Sequence, residues 1–104
     1  MTKERLEELG WKFDDFWNNR AMYSLNSNYE YVIFEHDNWG ILNPYSKEFE
    51  LIYCNLSDDE ILKFTELAKS VIAIYEDPKN HSFFEFCEAA KNVKDFVDEM
   101  KKRE

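Results

Sequence analysis

Glycine, proline and cysteine are scarce here, two of each among 104 residues. Gly10 and Gly40 alone cannot build a glycine-rich phosphate loop, which excludes P-loop and dinucleotide-binding folds. Cys54 and Cys87 are too few and too far apart for a disulfide framework; both are expected as small packed thiols, reduced in a cytoplasmic compartment. They and the two histidines, His36 and His81, occur singly, without C-x-x-C or H-x-x-x-H spacing, so no metal site and no cofactor is expected. Cys87 behind His81 is the one local nucleophile–base arrangement, and Phe83, Phe84 and Phe86 around it point to burial of the thiol. No apolar run approaches the ~20 residues that span a bilayer. The opening MTKERLEELG is charged from its third residue and lacks the apolar core of a secretory signal.

Aromatic residues, by contrast, are plentiful. They make up 17% of the chain within a hydrophobic fraction of 44%, enough for one domain over residues 1–104 with a core of its own. Such a chain buries roughly two-thirds of its unfolded surface, and each large ring contributes about 150–250 Å². The net charge is −9 and unevenly placed. Residues 21–60 hold one base, Lys47, against Glu30, Glu35, Asp37, Glu48, Glu50, Asp58, Asp59 and Glu60, a net of −7. A field of that sign repels phosphate backbones and anionic membranes and attracts cationic partners. Direct nucleic-acid binding is therefore disfavoured, although aromatic strands elsewhere serve to stack bases.

Local signals predict an α+β fold in the order α-β-β-β-β-α-α, an antiparallel meander of about four strands with helices on one face. Thr2 caps a helix over 3–9, which Gly10 closes in the left-handed region, pressing Trp11 back onto Leu6. Residues 12–20 carry Asp14-Asp15 and Asn18-Asn19 and read as irregular, their aromatics tucked inward. Strands are expected at Met22–Leu25, Tyr29–His36, Trp39–Leu42 and Glu48–Cys54, separated by Asn26-Ser27-Asn28, Asp37-Asn38 and Asn43-Pro44. In the last strand Phe49, Leu51 and Tyr53 alternate with Glu48, Glu50 and Ile52, placing Glu48 and Glu50 on a water-facing side. Ser57 and Glu60 form a capping box, stapled by Leu56 and Ile61, for a helix that Pro78 stops. Ser82 and Glu85 form a second box for a helix to about Lys101, with an apolar stripe of Phe86, Ala90, Val93, Phe96, Val97 and Met100.

No nucleophile, base and metal come together in this pattern, and Asp58-Asp59-Glu60 is accounted for by capping, so the chain is expected not to be an enzyme. Tyr29, Tyr31, Trp39, Tyr45 and Tyr53 cannot all be interior, and such rings beside carboxylates suit a protein interface. The expected partner-binding residues are Glu30, Glu35, Asp37, Trp39, Tyr45, Glu48 and Glu50, with Trp39 and Tyr45 as apolar anchors. Leu9-Gly10-Trp11, Tyr31–Phe34 and Leu56–Leu62, together with the order of elements, resemble small uncharacterised proteins from phages and mobile elements of low-GC bacteria. That resemblance implies a setting rich in anti-defence inhibitors, of anti-CRISPR or anti-restriction type, that occupy nucleic-acid channels with carboxylates in place of phosphates. The expected function is thus non-enzymatic blockade of a basic nucleic-acid-binding protein. The alternative is an accessory or assembly domain acting by homo-oligomerisation or apolar contacts along the C-terminal helix.

Overall fold

A computed structural model describes residues 1–26, 28 and 30–103. The chain folds as α1 (Lys3–Leu9), β1 (Lys12–Trp17), β2 (Arg20–Ser24), β3 (Val32–His36), β4 (Asn38–Leu42), β5 (Leu51–Ile52), α2 (Asp58–Glu76), a 3₁₀ turn (Pro78–Asn80) and α3 (Phe83–Lys101). The five strands form one antiparallel sheet in sequential order. The helices cover one of its faces, so the expected α+β meander is the architecture found.

The strand beyond the four expected is β1, formed by the segment that reads as irregular. Asn18 and Asn19 both have positive φ, 49° and 66°, the conformation a two-residue hairpin turn requires and asparagine tolerates. They join β1 to β2 with Trp17 opposite Arg20. A register shift between Phe13 and Asp15 disrupts the apolar alternation by which a strand is recognised. Phe13, Phe16 and Trp17 are exposed rather than tucked inward. On the outer edge of β1, the Phe16 amide donates to the Asp15 carboxylate (2.7 Å).

Other boundaries also shift. β2 begins at Arg20, two residues early, and β3 spans Val32–His36 rather than starting at residue 29; Ser27, expected in the turn, and Tyr29, expected to open the strand, lie outside the described residues. Of Glu48–Cys54 only Leu51–Ile52 pairs as strand, because Phe49 takes φ 55° and breaks the extended run. Its inward side is the reverse of the expected one: Ile52 and Cys54 are buried, whereas Phe49 and Tyr53 are exposed.

The helices close as their caps dictate. Thr2 accepts from the Arg5 amide. Gly10 (φ 104°) donates to the Glu7 carbonyl and Trp11 to the Leu6 carbonyl, a Schellman closure that buries Leu6 and Trp11 completely. Ser57 and Glu60 complete the reciprocal box at α2. At α3, Ser82 accepts from the Glu85 amide, but the Glu85 carboxylate turns to His81 Nδ1 (2.7 Å), so the second box is only half formed. Cys87 on α3 is exposed, contrary to expectation, because Phe83 and Phe84 point to solvent instead of covering it; Cys54 is buried, which pushes its thiol up to about 11.

Between sheet and helices lies the main core. Phe64 of α2 is its hub, contacting Trp11 (6.0 Å between centroids), Tyr31 (6.3 Å) and Phe96 (5.4 Å). The Trp11 indole donates to Thr65 Oγ1 (2.9 Å), which donates to the Ile61 carbonyl (2.6 Å). Thr65→Val keeps the shape but leaves the buried indole N–H unpaired; a loss of about 1–3 kcal/mol in unfolding free energy is expected from denaturant titration.

The last turn of the chain is anchored to the start of α2. Arg103 pairs with Glu60 through both guanidinium nitrogens. Arg103, and then the Ser57 amide and hydroxyl, hold the Glu60 carboxyl at about 2, below its ordinary 4.5. A depressed carboxyl stabilises the fold above its unfolded value, and that contribution is lost as pH falls through the folded one. Glu60→Gln should therefore lower the urea midpoint at pH 7 and flatten its decline between about pH 4.5 and 2.

Candidate binding groove

The sheet face turned away from the helices carries an apolar cluster of its own. Side chains alternate along strands, and here both sets are apolar: Tyr23, Tyr31, Ile33 and Ile41 enter the main core, while Met22, Val32, Phe34 and Leu42 occupy the opposite face. Phe34 lies over Gly40, where an added Cβ would meet its ring at 2.3 Å and the Ile52 carbonyl at 2.5 Å. Tyr53 covers Phe34 edge-on at 5.2 Å. Its hydroxyl accepts from Arg20 (2.5 Å), whose guanidinium sits 5.5 Å from the Tyr53 ring centre.

Next to this arrangement a groove of about 560 Å³ opens along the sheet. Met22, Val32 and Leu42 form its floor; Trp17 and Phe49 form its walls; Asp14, Asp15 and Glu48 complete the lining with Phe16, whose ring turns to the other face and packs on Phe13 (5.2 Å). Its wall rings are exposed, Trp17 by 47% and Phe49 by 69%. No base lines it. The Asp14 and Glu48 carboxylates have no hydrogen-bond or ion-pair partner among the described residues. Volume and lining fall within the range of small-ligand and peptide sites.

Of the expected partner-binding residues, the groove gathers only Glu48. Glu35 and Asp37 lie at the β3–β4 turn, whereas Glu48 and Glu50 follow β4 at its other end, about four residues or roughly 13 Å along the sheet. Glu50 accepts from Asn43 (2.9 Å) and pairs with Lys101 (3.2 Å); these two contacts, the Asn43 bond first, lower its pKa. Glu30 is half-buried, its amide held by Asn26 Oδ1 (3.2 Å). Trp39 is half-buried on the helix side, 5.6 Å from the Tyr23 ring, and its carbonyl accepts from Leu56. Tyr45 donates to the Ala90 carbonyl (2.8 Å), tying the β4–β5 connection to α3. Burial of that hydroxyl, then Tyr75 and Glu30, push it up to about 12. Trp39 and Tyr45 thus have structural tasks in this fold. Elsewhere in the acidic segment, Asp58 pairs with the Met1 amine (2.7 Å) and Glu60 with Arg103.

Asp14, Asp15, Phe16, Trp17 and Phe49, with the floor residues Met22, Val32 and Leu42, are the groove residues that sequence reasoning left out. The signal for two of them was present: Asn18-Asn19 between two aromatic-bearing stretches marks a two-residue hairpin, which places Phe16 and Trp17 on an edge strand. Among the described residues no group of three or more His, Cys, Asp or Glu could hold a metal ion, and no helix is long and apolar enough to cross a membrane. No family model, curated protein or solved structure matches the chain.

A second exposed aromatic patch lies at the α2–α3 corner. Phe83 and Phe84 are 81% and 71% exposed at the start of α3, and Phe86 packs against Tyr75 (5.2 Å) and Phe83 (6.5 Å).

Phe49 joins the groove at a cost. A bulky residue in the left-handed region is strained by about 1–2 kcal/mol, and its ring gains little by burial in the free protein. Phe49→Gly relieves that strain, less the added chain entropy of glycine. The free protein should become more stable by about 0.5–1 kcal/mol in thermal or urea unfolding, and any ligand of the groove should bind more weakly.

Proposed function

We propose that this chain is a non-enzymatic binding protein whose open sheet face docks onto a basic, nucleic-acid-handling protein. The observation that carries the reading is the groove itself: exposed Trp17 and Phe49 over an apolar floor, beside carboxylates that no base among the described residues neutralises. Aromatic anchors supply desolvation energy at protein interfaces. Unpaired carboxylates steer and orient a cationic partner. The net charge of −9 adds long-range attraction of the same sign. Blockade of an anti-phage defence nuclease, the role implied by the sequence resemblance, is one form this activity takes. In that form the groove's carboxylates compete with phosphates for the same basic surface.

A second reading rests on the α2–α3 corner. Phe83 and Phe84 there are more exposed than the groove rings. Self-association through this corner would bury them and would make the chain an assembly module.

Capture from bacterial lysate on the immobilised protein, run at low and high salt, separates these readings. The leading one expects basic nucleic-acid-binding proteins to be retained at low salt, released by added duplex DNA, and lost with Asp14→Lys plus Glu48→Lys. Glu35→Lys, outside the groove, should have a smaller effect. Capture unchanged by the groove reversals and by salt defeats it. A dimer that persists in high salt and vanishes with Phe83→Ser plus Phe84→Ser transfers the weight to the second.

A further inference from the structure

Resting on the reading above, the groove has a chemistry more specific than general affinity for basic surfaces. We infer that its occupant is an arginine side chain of the partner, flanked by apolar residues and carried on an extended segment. The carboxylates alone would suit any cation. The aromatic walls narrow the choice, because a guanidinium is planar, weakly hydrated and stacks on ring faces while its N–H groups reach carboxylate oxygens. An ammonium is a compact and strongly hydrated charge, which loses more on leaving water. The stem of an arginine can lie along apolar side chains such as Met22, Val32 and Leu42 while its head stays with the polar groups.

The sheet face already holds one arginine in this manner. Arg20, opposite Trp17 on the β1–β2 hairpin, places its guanidinium over the Tyr53 ring and bonds the Tyr53 hydroxyl and the Asn18 carbonyl. Tyr53 in turn covers Phe34, the floor neighbour of the groove. The groove repeats the ingredients of that seat, with aromatic rings beside acceptor oxygens, and has no cation of its own chain among its lining residues. Charge complementarity therefore selects the occupant, and ring chemistry selects guanidinium over ammonium. Edge pairing by the partner is disfavoured: the β1 register shift and the Asp15 carboxylate on the Phe16 amide blunt that edge. The segment lies across the face.

The test uses the full chain, ¹⁵N-labelled, and three probes: acetyl-Leu-Arg-Leu-amide, its lysine counterpart and its citrulline counterpart, which keeps the shape of arginine without its charge. Indole N–H resonances give the readout, Trp17 in the groove against buried Trp11 and half-buried Trp39 as references. The arginine peptide should shift Trp17 and leave Trp11 in place. The lysine peptide should bind several-fold more weakly, and the citrulline peptide about tenfold more weakly. Asp14→Asn with Glu48→Gln should bring the arginine peptide down to the citrulline level, with the Trp11 resonance confirming the fold. Equal binding of citrulline and arginine, or no Trp17 shift with any peptide, overturns the arginine anchor. If lysate capture still depends on Asp14 and Glu48 in that event, the groove remains the interface and only its anchor is wrong. If capture is insensitive as well, both readings fall.

Discussion

The packing of Phe64 against three rings from three other parts of the chain holds the fold together. Trp11 brings α1 and the start of β1, Tyr31 brings β3, and Phe96 brings α3. Such ring pairs contribute about 0.5–1.5 kcal/mol each beyond the area they bury. The Trp11–Thr65 hydrogen bond fixes the orientation of the Trp11 ring, because an indole N–H in a dry core has few alternative partners. With the helical layer fixed to one side of the sheet, the opposite side stands clear. The groove exists because the core is complete without it.

The charge distribution acquires its meaning only once the chain is folded. Three acids of the strongly negative segment are matched by groups from the two ends of the sequence: Glu50 by Lys101, Asp58 by the Met1 amine, Glu60 by Arg103. Glu35 and Asp37 sit at a different end of the sheet from Glu48. The local negative potential that can act on a partner is thus narrower than the sequence count implies. It includes Asp14 and Asp15, which belong to a stretch of nearly balanced composition.

The helices were legible in the sequence because their ends are coded locally. Gly10, Ser57 with Glu60, Pro78 and Ser82 each act within a few residues, and the structure departs from them only where His81 draws the Glu85 carboxylate away from its cap. The central strands were legible from their β-branched and aromatic runs. The first strand was not, because its inserted residue puts Phe16 on the same face as Phe13 and Trp17 on the opposite one, the reverse of simple alternation. The last strand was misread for a related reason: Phe49 adopts a backbone conformation that its side chain disfavours, so parity counted through it assigns the wrong face. Most of the groove comes from these two irregular segments, which is why Glu48 alone of the candidate residues belongs to it. Trp39 and Tyr45 looked like surface anchors from their places at turns. Long-range contacts with Tyr23 and Ala90, which no local pattern encodes, give them other tasks.

The blunted outer edge of β1 has a bearing on how this protein behaves when concentrated. A strand that shows Phe16 and Trp17 to solvent at the margin of a sheet would ordinarily template stacking of identical molecules into fibrils. Here the inserted residue breaks the regular spacing of edge groups and a side-chain carboxylate occupies the Phe16 amide. The chain can therefore leave these rings in solvent while its backbone offers a neighbouring copy no continuous ladder to extend.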